Sequence, residues 1–121
     1  MIENFHPPIQ NNRQSTRGGG TAIYVKNTIN ITEVKINLFK EKEIETTSTI
    51  IHVDKQNILL TSVYFGFLNQ SESISDLKVH LMNLIRQYKC KQIFLMGDYN
   101  INLLNHAISV SYTHLTLPTI A

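Results

Sequence analysis

The chain has 121 residues, 42% of them hydrophobic and 17% charged, with 11 basic against 9 acidic side chains and a formal net charge of +2. That length holds one small domain or part of a larger one, and the composition is that of an ordinary globular protein, not a disordered one. So small a charge neither demands nor opposes nucleic acid as a partner. A single cysteine, Cys90, allows no internal disulfide. No stretch reaches the ~20 apolar residues of a membrane span, and the first residues lack a signal peptide's apolar region. A soluble, intracellular protein is expected.

Residues 1–20 carry Pro7-Pro8, Asn11-Asn12 and Gly18-Gly19-Gly20, which break any period and read as a surface loop. Thr21 to Lys26 is rich in β-formers and predicts a strand, followed by a turn over Asn27 to Asn30. Ile31, Val34, Ile36 and Leu38, interrupted by Glu33 and Lys35, suggest a half-exposed extended segment. After the charged link Lys40 to Glu45, the β-branched run Ile44 to Val53 and the strand Ile58 to Tyr64 flank a polar turn over Asp54 to Asn57. An antiparallel hairpin is the simplest arrangement. Ile74, Leu77, Leu81, Leu84, Ile85 and Tyr88 then recur at spacings of three and four, the apolar face of a helix. Ser71 or Ser73 is the expected cap, Glu72 and Asp76 suit the helix start, and Arg86, Lys89 and Lys91 suit its end. Ile93 to Met96 reads as a fully buried strand at the centre of a sheet. The order of elements predicts an α+β fold without an internal domain boundary.

Ser109 to Ala121 reads differently. It resembles the peptide produced when a sequencing-library adapter is translated, so residues 1–108 are expected to form the central part of one domain and 109–121 a non-native tail. The other reading is a native Thr-rich strand ending at Pro118, in which Tyr112 and His114 would belong to the fold.

The chemistry concentrates at Gly97-Asp98-Tyr99-Asn100. Alternation would put Asp98 and Asn100 on one side of the chain where the strand leaves the core. A carboxylate and an amide placed there can hold a metal-bound phosphate and a water. Gly, Asp and Asn are also ordinary turn formers, so a plain turn is the competing reading. Cys90 lies between Lys89 and Lys91, which would lower its pKa, but a small apolar filler at the join of two elements is the commoner role. Gly18-Gly19-Gly20 is no phosphate loop, because no Gly-Lys-Ser/Thr follows and a strand comes next. The five histidines lack metal-ligand spacing. Met82 and Met96 are expected in the core. Arg13, Arg17 and Lys26 could touch a DNA backbone, although solvated loop positions are more usual for them.

Three segments together resemble a known family. Arg17 to Lys26 (RGGGTAIYVK) resembles the RGGGVAIYVK segment in the endonuclease domain of LINE-type (non-LTR) retrotransposons, within the endonuclease/exonuclease/phosphatase superfamily. Ile58 to Tyr64 resembles that domain's strand ending in Tyr-Arg-Pro-Pro, and Ile93 to Leu104 resembles its "ilmGDfNinLL" segment. The likeness spans residues 12–105 in the family's order. It implies a partial four-layer α/β-sandwich, two packed and mostly antiparallel sheets flanked by helices. It further implies phosphodiester hydrolysis with Mg²⁺ (or Mn²⁺) and nicking of target DNA. By resemblance, Asp98 orients or deprotonates the attacking water, Asn100 helps hold the scissile phosphate and metal site, and the Tyr64 hydroxyl lies near the phosphate. Access to the nucleus and linkage to a reverse transcriptase domain follow from the same resemblance.

The chain also departs from that family. Phe65-Gly66-Phe67 stands where Arg-Pro-Pro is usual. The metal-anchoring glutamate would lie upstream of the Gly-rich segment, where Glu3 lacks the expected preceding strand. The C-terminal Ser-Asp-His segment is absent, and none of His6, His52, His80, His106 and His114 has its context. The isolated chain is therefore expected to hold the middle of a site and to be inactive. Two alternatives stay open. One is a non-catalytic retroelement relic that binds nucleic acid or other chains. The other is a phosphoesterase of the same superfamily acting on a phospholipid or inositol phosphate.

Overall fold

The computed structural model describes residues 3–14 and 19–100. Arg17 and the 109–121 tail lie outside the described residues. The fold is mixed α+β, with two sheets and one helix. A small antiparallel pair, β1 (Ile9–Asn11) and β2 (Thr21–Ile23), accompanies a five-stranded sheet. That sheet comprises β3 (Asn30–Glu33), β4 (Phe39–Lys40), β5 (Ile44–Val53), β6 (Gln56–Phe65) and β7 (Cys90–Asp98), with α1 (Gln70–Tyr88) between β6 and β7. Its order is β3-β5-β6-β7, and β4 pairs with β5 beside β3.

The β5–β6 hairpin is the frame. Val53 pairs with Gln56 across the two residues Asp54 and Lys55, both at positive φ (51° and 63°). This is the turn whose twist suits a two-residue hairpin. Ten register pairs follow, from Val53–Gln56 to Ile44–Phe65. One face of the hairpin carries Ile44, Ile50, Leu59, Val63 and Phe65, which pack with Ile93 of β7 and with Ile74, Leu77, Leu81 and Leu84 of α1. The β1–β2 pair lies on the other face, where the Asn11 amide donates to Thr46 O (3.2 Å) and Thr47 Oγ1 (3.0 Å), and Thr21 Oγ1 meets Thr47 Oγ1 at 2.5 Å.

Several expectations are corrected. The buried centre of the sheet is β5, not the Ile93–Met96 run. Strand β7 pairs, in parallel, with β6 alone among the described residues. Its apolar residues therefore alternate: Ile93 and Leu95 are buried against α1, Phe94 is half-buried, and Met96 is 46% exposed. Met82 is likewise exposed on the outer side of α1. The extended segment predicted to run to Leu38 stops at Glu33, because Val34 turns into the core and leaves Ile36 in solvent. The helix starts earlier than a serine cap would place it. Asn69 occupies the cap position in the left-handed region without a side-chain cap bond, and its amide reaches Glu43 Oε1 instead (2.8 Å). Ser73 is buried against the sheet. The helix ends at Lys89, also left-handed, whose N–H bonds to Ile85 O before the chain enters β7.

His80 of α1 is half-buried, and its Nε2 has no hydrogen-bond partner. Burial lowers its pKa from the usual value. The unfolded chain therefore takes up a proton near pH 6.5 that the folded chain resists. Stability is expected to fall as the pH drops below about 6.5 and to be unaffected by His80 above it. Urea unfolding at pH 7.5 and 5.5 should show a smaller loss in His80→Leu than in the parent, whereas equal losses would contradict this role.

Candidate functional site

The site lies where β6 and β7 end together. Tyr64, next to last in β6, is the register partner of Asp98, the last residue of β7, in a parallel pair. On its other side Tyr64 is the register partner of Glu45 in β5. Register partners share a face, so Glu45, Tyr64 and Asp98 form one row across three strands on the face that carries β1–β2. Strands lie about 4.8 Å apart, which separates the Glu45 and Asp98 backbones by roughly 10 Å with Tyr64 between them. Those two carboxylates are not placed to share a cation.

Two glycines fix this end of the sheet. Gly97 has φ +142°, and a Cβ there would lie 1.8 Å from Val63 O on the neighbouring strand. Gly66 follows Phe65, and a Cβ there would lie 1.5 Å from Lys42 O. A side chain at position 66 would collide with the backbone before β5, so the loop after Tyr64 requires a glycine there. Phe65 is buried in the core, and Phe67 stands in solvent.

Asp98 and Asn100 come together through a turn instead of strand alternation, because β7 ends at Asp98 and Asn100 has left it in the left-handed region (φ 46°). The Asn100 N–H donates to Asp98 Oδ1 (3.3 Å), and its Nδ2 donates to Phe65 O (2.7 Å), beside Tyr64. Turn and candidate site are thus the same four residues. Tyr99 braces them through its hydroxyl on Leu95 O (2.8 Å) and its ring against Phe65. Gln70, at the start of α1, holds the turn from outside, donating to Asn100 O (2.8 Å) and Gly66 O (3.0 Å).

The basic residues separate. Arg13 sits in the site: its Nε donates to Glu45 Oε2 (2.6 Å), and its guanidinium carbon lies 5.6 Å from the Tyr64 ring centroid. The hydrogen bond to Glu45 is the main cause that raises the Arg13 pKa. Lys26 is exposed, bridged to Phe5, six residues beyond Gly20, whose N–H donates to Glu45 Oε1 (3.2 Å). An extended chain covers roughly 20 Å in six residues, so Lys26 is not brought to Arg13. Cys90 takes the bland role: it packs against the core, and burial raises its thiol pKa.

Glu45 is the residue that sequence reading missed. It is fully buried, and it accepts from Arg13, from Gly20 N–H and from Lys42 N–H (2.8 Å). The available signal was a lone acid inside a run otherwise made of Ile, Thr and Ser. Such an acid is buried only with partners.

Among the described residues no three His, Cys, Asp or Glu side chains converge. Asp98 and Asn100 offer hard oxygen donors, a carboxylate and an amide. Such donors suit a hard divalent cation such as Mg²⁺ or Mn²⁺, which binds through few carboxylates and keeps most of its waters. No family model matches the chain, and neither the curated proteins nor the solved structures give a match.

Proposed function

We propose that this chain is the central part of a metal-dependent phosphodiesterase domain, the DNA-nicking endonuclease of a non-LTR retroelement. The observation that supports it most is the register pairing of Tyr64 with Asp98 at the carboxyl ends of adjacent parallel strands, with Asn100 tied to the next backbone carbonyl. In this reading Asp98 and Asn100 would hold Mg²⁺ (or Mn²⁺), which would supply positive charge beside the phosphate and make water there more acidic. Asp98 would orient or deprotonate the attacking water, while Asn100 and the Tyr64 hydroxyl would hold phosphate oxygens. DNA is the partner, Arg13 and Arg17 are backbone contacts, and Lys26 contributes at a distance. In this reading the fold is a four-layer α/β-sandwich, of which residues 1–108 form the central part. The full protein carries a reverse transcriptase and reaches the nucleus.

The test begins with the coding locus, read outward from Met1 and His106. An in-frame upstream glutamate-bearing strand and a downstream Ser-Asp-His segment are expected. The protein extended to include them should nick supercoiled plasmid with Mg²⁺, while the 121-residue chain should not. Salt-sensitive DNA binding by the extended protein, without metal-dependent cleavage, would favour a non-catalytic relic. Hydrolysis of an inositol phosphate with DNA left intact would favour the third substrate class.

A further inference from the structure

Glu45 and Arg13 form a buried link that no step of phosphodiester hydrolysis requires. Glu45 is 0% exposed and takes three donors, of which two are backbone N–H groups from the segments that flank it, Gly20 and Lys42. The third is Arg13 Nε, so the guanidinium is fixed by an oxygen in the sheet and not by its own loop. The plane so fixed lies over the ring of Tyr64, the register neighbour of both Glu45 and Asp98. Apart from this contact, the ring stands on a face of the sheet that is only partly covered, with Ser62 half-buried and Met96 exposed beside it. A guanidinium held over an aromatic face attracts it through the ring quadrupole. The hydrogen bond from Nε to Glu45 holds the planar guanidinium in that position.

We infer that Glu45, acting through Arg13, is a positioning residue for the candidate site: the pair holds the Tyr64 ring in place beside Asp98, so that a phosphate group meets a preset phenol. This rests on the phosphodiesterase reading for its ligand, but the placement of the ring is a separate claim. Glu45 itself reaches no substrate atom, because Arg13, Gly20 and Lys42 occupy its carboxylate.

The experiment uses the 121-residue chain with ¹³C-labelled tyrosine, the Tyr64 ring signals being assigned by Tyr64→Phe. Glu45→Gln and Arg13→Ala should both shift the Tyr64 ring resonances, and Arg13→Lys, which keeps the charge without the planar fork, should shift them partway. If Glu45→Gln fails to fold, Glu45→Met/Arg13→Met replaces the pair by apolar groups of similar length, an exchange that buried ion pairs commonly tolerate. Ring resonances that stay in place in the folded double variant and in Arg13→Ala would overturn the inference. Thymidine 5′-monophosphate with Mg²⁺ is then titrated against each protein. Affinity read at Tyr64 should fall about tenfold in Glu45→Gln, which keeps the Arg13 charge and loosens only its placement. An unchanged affinity would also overturn the positioning role. The titration is repeated on the protein extended to its natural coding frame; if that protein shows no response to the nucleotide either, the phosphodiesterase reading fails, and the ring resonances still decide the placement.

Discussion

Gly97→Ala is expected to destabilise the chain by about 3–5 kcal/mol, among the largest effects of any single methyl here. A Cβ at this position would lie 1.8 Å from Val63 O and 3.0 Å from Val63 N, both backbone atoms of the paired strand. No rotamer change relieves such a clash, so β7 must move away from β6 or change its conformation. The backbone angle adds to the cost, since φ +142° is one that side-chain-bearing residues rarely adopt. For a domain of this size the loss corresponds to a fall in melting temperature of roughly 12 °C or more. Ser75→Ala, on the exposed side of α1, should stay within about 0.5 kcal/mol. Thermal unfolding of the two variants decides: a Gly97→Ala protein that melts with the parent would mean that β7 does not pair in the described register. Because Asp98 follows directly, the same glycine that lets the strand close also sets the site's carboxylate at its end.

In the protein extended to its natural coding frame, Asp98→Ala should lower Mg²⁺-dependent plasmid nicking by about 10³-fold, the scale of a lost general base or water-orienting group. Asn100→Ala should lower it by about 10²-fold, since a donor to the phosphate is removed together with the bond to Phe65 O. Tyr64→Phe, which keeps the ring under Arg13 and removes only the hydroxyl, should lower it by about tenfold. Asp98 is exposed and makes one long hydrogen bond to a backbone N–H, so its replacement should leave the melting temperature within a few degrees of the parent. That separation of activity from stability is the useful part of the series. Parallel losses of folding and nicking would place Asp98 among the structural residues of the turn.

The helix, the β5–β6 hairpin and the position of β7 were legible because each has a clean local period or turn: Ile74 to Tyr88 at helical spacing, Asp54-Lys55 between two β-branched runs. The sheet's centre was not legible. β5 is buried on both faces yet reads as Glu, Thr and Ser, because its hydroxyls are satisfied sideways. Thr46 donates to Leu38 O, Thr47 to Thr21 O and Thr49 to Thr32 O, and Ser48 meets Thr61. Hydrophobicity therefore pointed to Ile93–Met96, which carries more apolar surface but, among the described residues, pairs with β6 alone. Asp98 and Asn100 were expected side by side from strand alternation, whereas a turn with Asn100 in the left-handed region joins them. The link from Glu45 to Arg13 spans 32 residues and had no local signal.

The most direct test of the central claim is a Mn²⁺ titration of the ¹⁵N-labelled chain, read as paramagnetic broadening of backbone amides. The account predicts broadening confined to the neighbourhood of Tyr64, Asp98 and Asn100, and lost in Asp98→Ala. Broadening centred on the acidic start of α1, at Glu72 and Asp76, or unchanged by Asp98→Ala, would contradict it.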